Sequence, residues 1–332
     1  MTDVLFLRSD ELAGLATPTE YVEWVRAGYE SHGLTGTAEP RTKLVNGDPP
    51  GMCTGYLAIL PEVGGMGGYT YAAGFGDGDV HFALPLFDAE SGRMLALLDG
   101  ASMNPFKTGA TGAVAVDELA REDASTCAVV GSGAQARGQL KATATVRDFE
   151  TVRVFSPTPE SRESFAADFD DHLAADVTAA DSASAAVSGA DVVITATKAS
   201  DPVFHDDDLA DGAHVTAMGQ YDLGKQEISA ETVARSTYVP DLRERAFQDA
   251  GAFLAARDAG VVDDDHIHAE LGEVVAGSAE GRTSDEEVTV FDSGGTGIET
   301  VAAAWGLYER AKERGLGETI EFAPGSEALT GE

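Results

Sequence analysis

Basic residues and cysteines are what this 332-residue sequence has least of: 22 lysines and arginines stand against 57 aspartates and glutamates, and only Cys53 and Cys127 are present. Two cysteines build no disulfide framework, so a reducing, cytoplasmic compartment is expected. The net charge of −35 argues against nucleic acid and anionic membranes as partners. No single acidic tail accounts for it, because acids recur at Asp168, Asp170 and Asp171, at Asp206 to Asp208, at Asp263 to Asp265 and at Asp285 to Glu287. That spread describes a solvated acidic shell of the halophilic kind, tolerable in molar salt where screening shortens to about 3 Å. Long apolar runs are absent too, and the opening MTDVLFLRSDEL carries acids, so neither a signal peptide nor a membrane span is expected. Repeats and low-complexity tracts are missing, which leaves the length for two domains and a large core.

What is present is organised around TCAVVGSGAQARGQL, residues 126–140. A short apolar run meets Gly131, Ser132, Gly133, Ala134, Gln135 and Ala136, and Leu140 and Ala142 continue at helical spacing. This is a strand, a tight turn and a helix spelling G-x-G-x-x-A. The first glycine makes the turn, the second admits a pyrophosphate to the backbone, and the small third residue lets helix pack on strand. The helix N-terminus then offers unpaired N–H groups and a positive dipole to phosphates.

Around this turn the chain reads in two styles. Residues 3–8 form a strand, and Thr17, Pro18 and Glu20 start a helix that Gly33 ends. From residue 41 to about 100, apolar pieces cut by glycine at 56–60, 69–73, 81–87 and 94–98 read as an antiparallel meander. A helix rich in small residues begins at Thr108. Beyond it, strands at 152–155, 176–178, 191–195, 214–218, 237–239 and 288–291, with helices between several of them, predict a doubly wound parallel sheet. A helix over 298–314 returns the chain to the first domain, and the last eight residues are expected to fray.

Several strings together resemble the ornithine cyclodeaminase and mu-crystallin family: EPRTKL from Glu39, LPLFDAESGRMLALLDG from Leu84, FKTGATGAVAVDELAREDASTCAVVGSGAQA from Phe106, ADVVITATKASDPVF from Ala190, MGQYDLGKQEI from Met218 and HAELGEVVAGSAEGRTSDEEVTVFDSGGTGIE from His268. The resemblance implies an α/β chain in which a Rossmann domain (108–297) is inserted in an α+β substrate and dimerisation domain (1–107 plus 298–332). It also implies a homodimer and NAD(P)-dependent hydride chemistry at the alpha carbon of a small amino or imino acid.

Carried over residue by residue, the resemblance makes Arg41 the grip on the substrate carboxylate. Lys107 falls where the family usually has a second arginine, and it lacks the bidentate fork. Tyr69 replaces a family lysine, and Tyr221 replaces the carboxylate that serves ornithine cyclodeaminase as acid or base, with Asp222 next door. Ser293 and Gly294 match the loop that meets the nicotinamide. Gly131, Gly133, Ala134, Gln135, Thr195 and Thr197 are the remaining candidate cofactor contacts on the glycine turn and the buried strand's end.

An NAD site wants a carboxylate about 20 residues past the glycine turn. VRVFSPTPESR has none before Glu160, whereas Ser156, Thr158 and Arg162 suit a 2′-phosphate, so NADP(H) is favoured. His266, His268, Glu270 and Glu273 read as structural rather than as metal ligands. A phenol is a weak base near neutrality, so Tyr221 favours imine reduction or amino-acid dehydrogenation over ornithine cyclodeamination. A dinucleotide-binding protein without turnover is the alternative of another class.

Overall fold

The computed structural model describes residues 2–326, which separate into two compact units: one runs to Lys107 and resumes at Thr296, the other is Thr108–Gly295. The first unit opens with β1 (Thr2–Leu7), α1 (Ser9–Leu12) and α2 (Pro18–Leu34). Thr17 and Glu20 close a capping box on α2 with Pro18 in its first turn, as the spacing predicts. The helix runs one residue past Gly33, and the Thr35 N–H returns to the Ser31 carbonyl. Strands β2 (Thr37–Ala38), β3 (Thr42–Gly47), β4 (Pro50–Leu60), β5 (Gly65–Ala73), β6 (Ala83–Asp88) and β7 (Met94–Asp99) follow. Then α3 (Asn104–Leu119) begins four residues before the predicted start at Thr108, so Lys107 lies inside its first turn.

The second unit alternates strands and helices. Its elements are β8 (Thr126–Val130), α4 (Ala134–Thr143), β9 (Thr151–Phe155), α5 (Pro159–Asp170), β10 (Asp176–Ala179), α6 (Ala183–Val187), β11 (Val192–Thr195), β12 (His214–Ala217), α7 (Ala230–Arg235), β13 (Ser236–Pro240), α8 (Arg243–Asp249), α9 (Gly251–Asp258), α10 (Leu271–Val275) and β14 (Val288–Asp292). The first unit then resumes with α11 (Gly297–Arg314) and β15 (Glu318–Phe322). The expectation of fraying falls on the last eight residues, of which 327–332 lie outside the described ones.

The second unit's sheet has the order β10-β9-β8-β11-β12-β14-β13 with every neighbour parallel. Two cores cover its faces. Cys127, Val129, Val192 and Ile194 pack with Leu140 of α4 and Phe165 of α5, while Ala128, Val130 and Val193 belong to the opposite cluster with Val233, Ala246 and Phe253. Successive residues on β8 and β11 thus serve opposite cores. This is why 127–130 and 192–194 are apolar without alternation, and each buried valine or isoleucine there contributes about 1.5–3 kcal/mol.

In the first unit, the order β15-β1-β7-β6-β5-β4-β2, with β3 also on β4, is wider than the predicted meander. Strand β1 joins β7 in parallel, and β15 adds to β1 from the far end of the chain. Helices α11 and α2 pack together on β4. Their approach requires glycine, since a Cβ at Gly306 would stand 2.1 Å from the Trp24 ring and one at Gly28 2.6 Å from Ala302.

Candidate active site

In an open parallel sheet, ligands bind beyond the carboxyl ends of the strands, where the chain's winding reverses. Here that point lies between β8 and β11. A cleft of about 850 Å³ opens there, lined by the residues that end β8 (Val130 to Gln135), β9 (Phe155 to Thr158), β11 (Ala196 to Ala199) and β12 (Met218, Gly219 and Tyr221). The two fingerprint glycines are required for different reasons. Gly131 holds φ +123° and a Cβ on it would lie 2.4 Å from the Ala196 carbonyl oxygen, so the turn itself demands glycine. Gly133 precedes α4 with an ordinary φ of −77°, and a Cβ there would meet nothing within 4 Å. The protein therefore does not need that glycine for its own packing. The open space above it, beside the N–H groups of α4, fits the close approach of a pyrophosphate. Gln135 adds a buried side-chain oxygen without a hydrogen-bond partner. These features fit a dinucleotide.

At the end of β9, the Ser132 hydroxyl donates to Ser156 Oγ at 3.0 Å, and Arg162 donates to the Ser156 carbonyl at 3.0 Å while lying over the Phe155 ring. Ser156 and Thr158 line the cleft, and no carboxylate among its lining residues takes the place of a ribose-binding acid. Thr197 lines it as well. Thr195 does not: it is buried, and its hydroxyl donates to Glu227 at 2.8 Å. Glu227, fully buried, also accepts from the backbone N–H groups of Thr197, Met218 and Gly219. Burial pushes its carboxyl above the ordinary range even though these donors pull it down. It ties the ends of β11 and β12 together, a role that no pattern in the sequence disclosed.

Tyr221 faces the cleft, with Lys225 Nζ 4.7 Å from its ring. Asp222 is exposed, accepts from the Gly224 N–H at 3.1 Å and does not line the cleft. Ser293 and Gly294, just past β14, are held through Asp241, whose Oδ2 accepts from the Gly294 N–H at 2.8 Å and the Ser293 hydroxyl at 3.3 Å. Asp241 is one of several residues that sequence reasoning missed, along with Arg245 and Asp292. Asp292 has no legible sign, and that of Asp241 and Arg245 is their four-residue spacing, repeated to Asp249, an interval that brings side chains together along a helix even though α8 itself begins at Arg243.

In the first unit, Arg41, Lys107 and Tyr69 come together around Tyr56. The Arg41 guanidinium carbon lies 5.7 Å from the Tyr56 ring centre, and Lys107 Nζ lies 5.5 Å from the centres of both Tyr56 and Tyr69. Lys107 is buried and forms an ion pair with Glu299 at 3.0 Å. Burial opposes its charge, but Glu299 and Tyr56 outweigh that and raise the ammonium's pKa, so Lys107 is a cation. Tyr69 is fully buried, donates to the Gly100 carbonyl at 2.7 Å and is pushed by burial well above the usual phenol range. Glu299 had a readable sign: Thr296 and Glu299 spell the capping box that starts α11.

His266 and His268 each spend a ring nitrogen on a backbone carbonyl, of Val233 at 2.7 Å and of Glu280 at 2.8 Å. Among the described residues no group of three potential ligands stands together as a metal site. No described helix is long and apolar enough to cross a membrane.

Residues 76–315 match the model of the ornithine cyclodeaminase/mu-crystallin family. A Delta(1)-pyrroline-2-carboxylate reductase of Bacillus cereus is 39% identical over 238 residues, which is 71% of this chain and 73% of that protein. Among solved structures, Delta(1)-pyrroline-2-carboxylate reductase of Thermococcus litoralis, in complex with NADH and L-proline, superposes with a TM-score of 0.88 at 30% identity over 96% of this chain and 100% of that one. An archaeal alanine dehydrogenase dimer with bound NAD gives 0.89 at 29% identity, covering 97% and 100%.

Proposed function

Because this chain belongs to the ornithine cyclodeaminase/mu-crystallin family, we propose that its cleft and its cationic cluster serve one reaction, the reduction of a small alpha-imino acid or the reverse dehydrogenation of an amino acid. The chain is an NAD(P)-dependent oxidoreductase acting at the alpha carbon of a small amino or imino acid. Bound nicotinamide supplies or accepts the hydride. The protein's part is to hold the substrate carboxylate, present the alpha carbon and move one proton to or from nitrogen.

The observation that carries the choice of reaction is Tyr221 in the cleft wall, with no carboxylate at that position. Cyclodeamination of ornithine needs several proton transfers, for which a carboxylate is suited. Imine reduction needs one proton, which a phenol or a water held by it can supply. Arg41 grips the carboxylate, while Lys107, fixed by Glu299, adds positive potential beside it. The first unit serves as the substrate and dimerisation domain, and the second binds the dinucleotide through Gly131, Gly133, Ala134, Gln135, Thr197, Ser293 and Gly294.

The solved relatives hold NADH or NAD. Ser156, Thr158 and Arg162, with no acid among the cleft's lining residues, favour a 2′-phosphate and hence NADP(H) in this chain. A tighter dissociation constant for NADH than for NADPH would overturn that preference. The protein acts as a homodimer in the cytoplasm of a cell with molar internal salt, where its acidic shell is at home.

The deciding experiment follows absorbance at the nicotinamide band in molar salt with pyrroline-2-carboxylate and with pyruvate plus ammonia, and assays proline and ammonia directly with ornithine, whose redox-neutral cyclodeamination leaves that band unchanged. Turnover of either of the first two is expected. Efficient formation of proline and ammonia from ornithine sinks the reading and makes Asp222 the residue to test, and dinucleotide binding with no turnover on any substrate favours a binding protein.

A further inference from the structure

A buried ion cluster stands at the carboxyl ends of β13 and β14, and the reaction as described does not use it. Arg245 of α8 is fully buried. Its Nε donates to Asp241 Oδ1 at 2.7 Å, and one terminal nitrogen lies 2.7 Å from both the side-chain and main-chain oxygens of Asp292. Asp249 faces the other terminal nitrogen at 3.8 Å. Replacing such a cluster by apolar groups often costs no stability, so stability does not explain it.

Its geometry does. Asp241 divides its carboxylate: Oδ1 takes Arg245, and Oδ2 takes the N–H groups of Gly294 at 2.8 Å and Gly295 at 3.2 Å and the Ser293 hydroxyl at 3.3 Å. The loop after β14 therefore rests on the guanidinium, closely enough that a Cβ on Gly294 would lie 2.8 Å from Arg245 Cδ. Two glycines bring no side chains to fix themselves, and their half-buried N–H groups take Asp241 as acceptor.

The cluster also reaches the cleft. Asp292 Oδ2 accepts from Gln220, whose own Oε1 accepts from the Glu227 N–H at 3.2 Å. Glu227 holds the N–H groups of Thr197, Met218 and Gly219, all in the cleft wall. The Ser293 N–H returns to the Ala217 carbonyl at 3.0 Å. One set of hydrogen bonds thus runs from the dinucleotide cleft to the Ser293–Gly295 loop.

We propose that Arg245 is a positioning residue, clamping the Ser293–Gly295 loop through Asp241 and Asp292 so that the loop meets the reactive end of the bound dinucleotide in register with the cleft wall. This rests on the oxidoreductase reading above. The guanidinium's fork is what the role requires, since its Nε donates to the Asp241 carboxylate while a terminal nitrogen donates to the Asp292 carbonyl and pairs with its carboxylate, a spread that a lysine's single ammonium lacks.

The test uses Arg245→Lys and the isosteric Asp241→Asn in the full chain in molar salt, with three readouts: NADPH affinity and stoichiometry by fluorescence, kcat and KM for pyrroline-2-carboxylate, and backbone hydrogen exchange of residues 292–297. The expected result is a dissociation constant and a KM within about threefold of wild type, one dinucleotide bound per chain, kcat lowered about tenfold to a hundredfold, and faster exchange confined to 292–297. Dinucleotide stoichiometry and kcat falling together, as a merely structural role requires, overturns the proposal. So does unchanged exchange with wild-type kcat. Should the wild type bind NADPH yet reduce nothing, the oxidoreductase reading fails. The clamp is then upheld by faster exchange confined to 292–297 in both variants, and overturned by unchanged exchange.

Discussion

At the scale of single residues, Arg41 and Tyr221 are assigned separable tasks. A charge-assisted bond to a carboxylate is worth about 1.5–3 kcal/mol, so we predict that Arg41→Ala raises KM and lowers kcat/KM by roughly tenfold to a hundredfold. Tyr221→Phe removes a proton source and leaves the ring that packs by Lys225, so it should lower mainly kcat. Steady-state kinetics with pyrroline-2-carboxylate checks both, and a Tyr221→Phe enzyme with wild-type kcat removes that residue from the proton path. A third residue bears on stability. His214 is fully buried between the hydroxyls of Thr289 and Thr216, both 2.9 Å away, and burial, with Arg282 and Arg147 nearby, lowers its pKa to about 3. The unfolded chain's histidine takes its proton near pH 6.5, which the folded one refuses until about pH 3. The neutral ring's contribution is therefore complete above about pH 6.5 and is lost as pH falls toward 3, at about 1.4 kcal/mol per unit. His214→Gln should flatten the pH dependence of the urea midpoint between about pH 6.5 and 4.5. Equal slopes in the two proteins would refute this.

At the scale of elements, the β8 turn makes a paired prediction. Gly131→Ala forces a Cβ to within 2.4 Å of the Ala196 carbonyl at a positive φ, so it should destabilise the second unit by a few kcal/mol. Gly133→Ala meets open space at an ordinary φ, so thermal unfolding should be unchanged while dinucleotide affinity falls about tenfold or more. Equal affinity in Gly133→Ala and wild type would show that no ligand approaches that Cα. The same turn explains what the sequence made legible. Its meaning is carried by six consecutive residues whose neighbours alternate between apolar strand and amphipathic helix, and the Thr17 cap is equally local. Strand β15 was missed because its pairing with β1 joins the two ends of the first unit. Its alternation of Glu318, Thr319, Ile320 and Glu321 resembles any exposed acidic stretch of this chain. The helices α7, α8 and α9 are short, and tertiary packing decides them. The Arg245 and Glu227 hubs escaped for a related reason: among 57 acids, nothing local distinguishes a buried carboxylate from a solvated one.

At the scale of the whole molecule, charge and exposed apolar surface set the last prediction. On β4 the odd positions point outward, and Leu57 and Ile59 remain 59% and 45% exposed, with Leu44 of β3 at 67% beside Cys53. A face of this kind calls for a cover, and a second copy of the first unit would supply one of matching chemistry. Burying about 800 Å² per partner would favour association strongly at about 25 cal/mol per Å² of apolar area, less the large entropic cost of docking. Two chains of charge −35 oppose it. At about 10 mM salt the screening length is about 30 Å, so acids over the whole surface repel, whereas at about 1 M it is about 3 Å and only adjacent acids do. We predict a homodimer in molar potassium chloride that dissociates as salt is removed, and a Leu57→Asp variant that stays monomeric even there. Light scattering across a salt series also distinguishes the cause. If screening governs, the dimerisation constant should rise steeply up to about 0.5 M and then level, because little repulsion remains to be screened. If strengthened apolar burial governs, it should keep rising with salt and should respond more to sulfate than to chloride at equal ionic strength. A monomer in molar salt would overturn the dimer altogether.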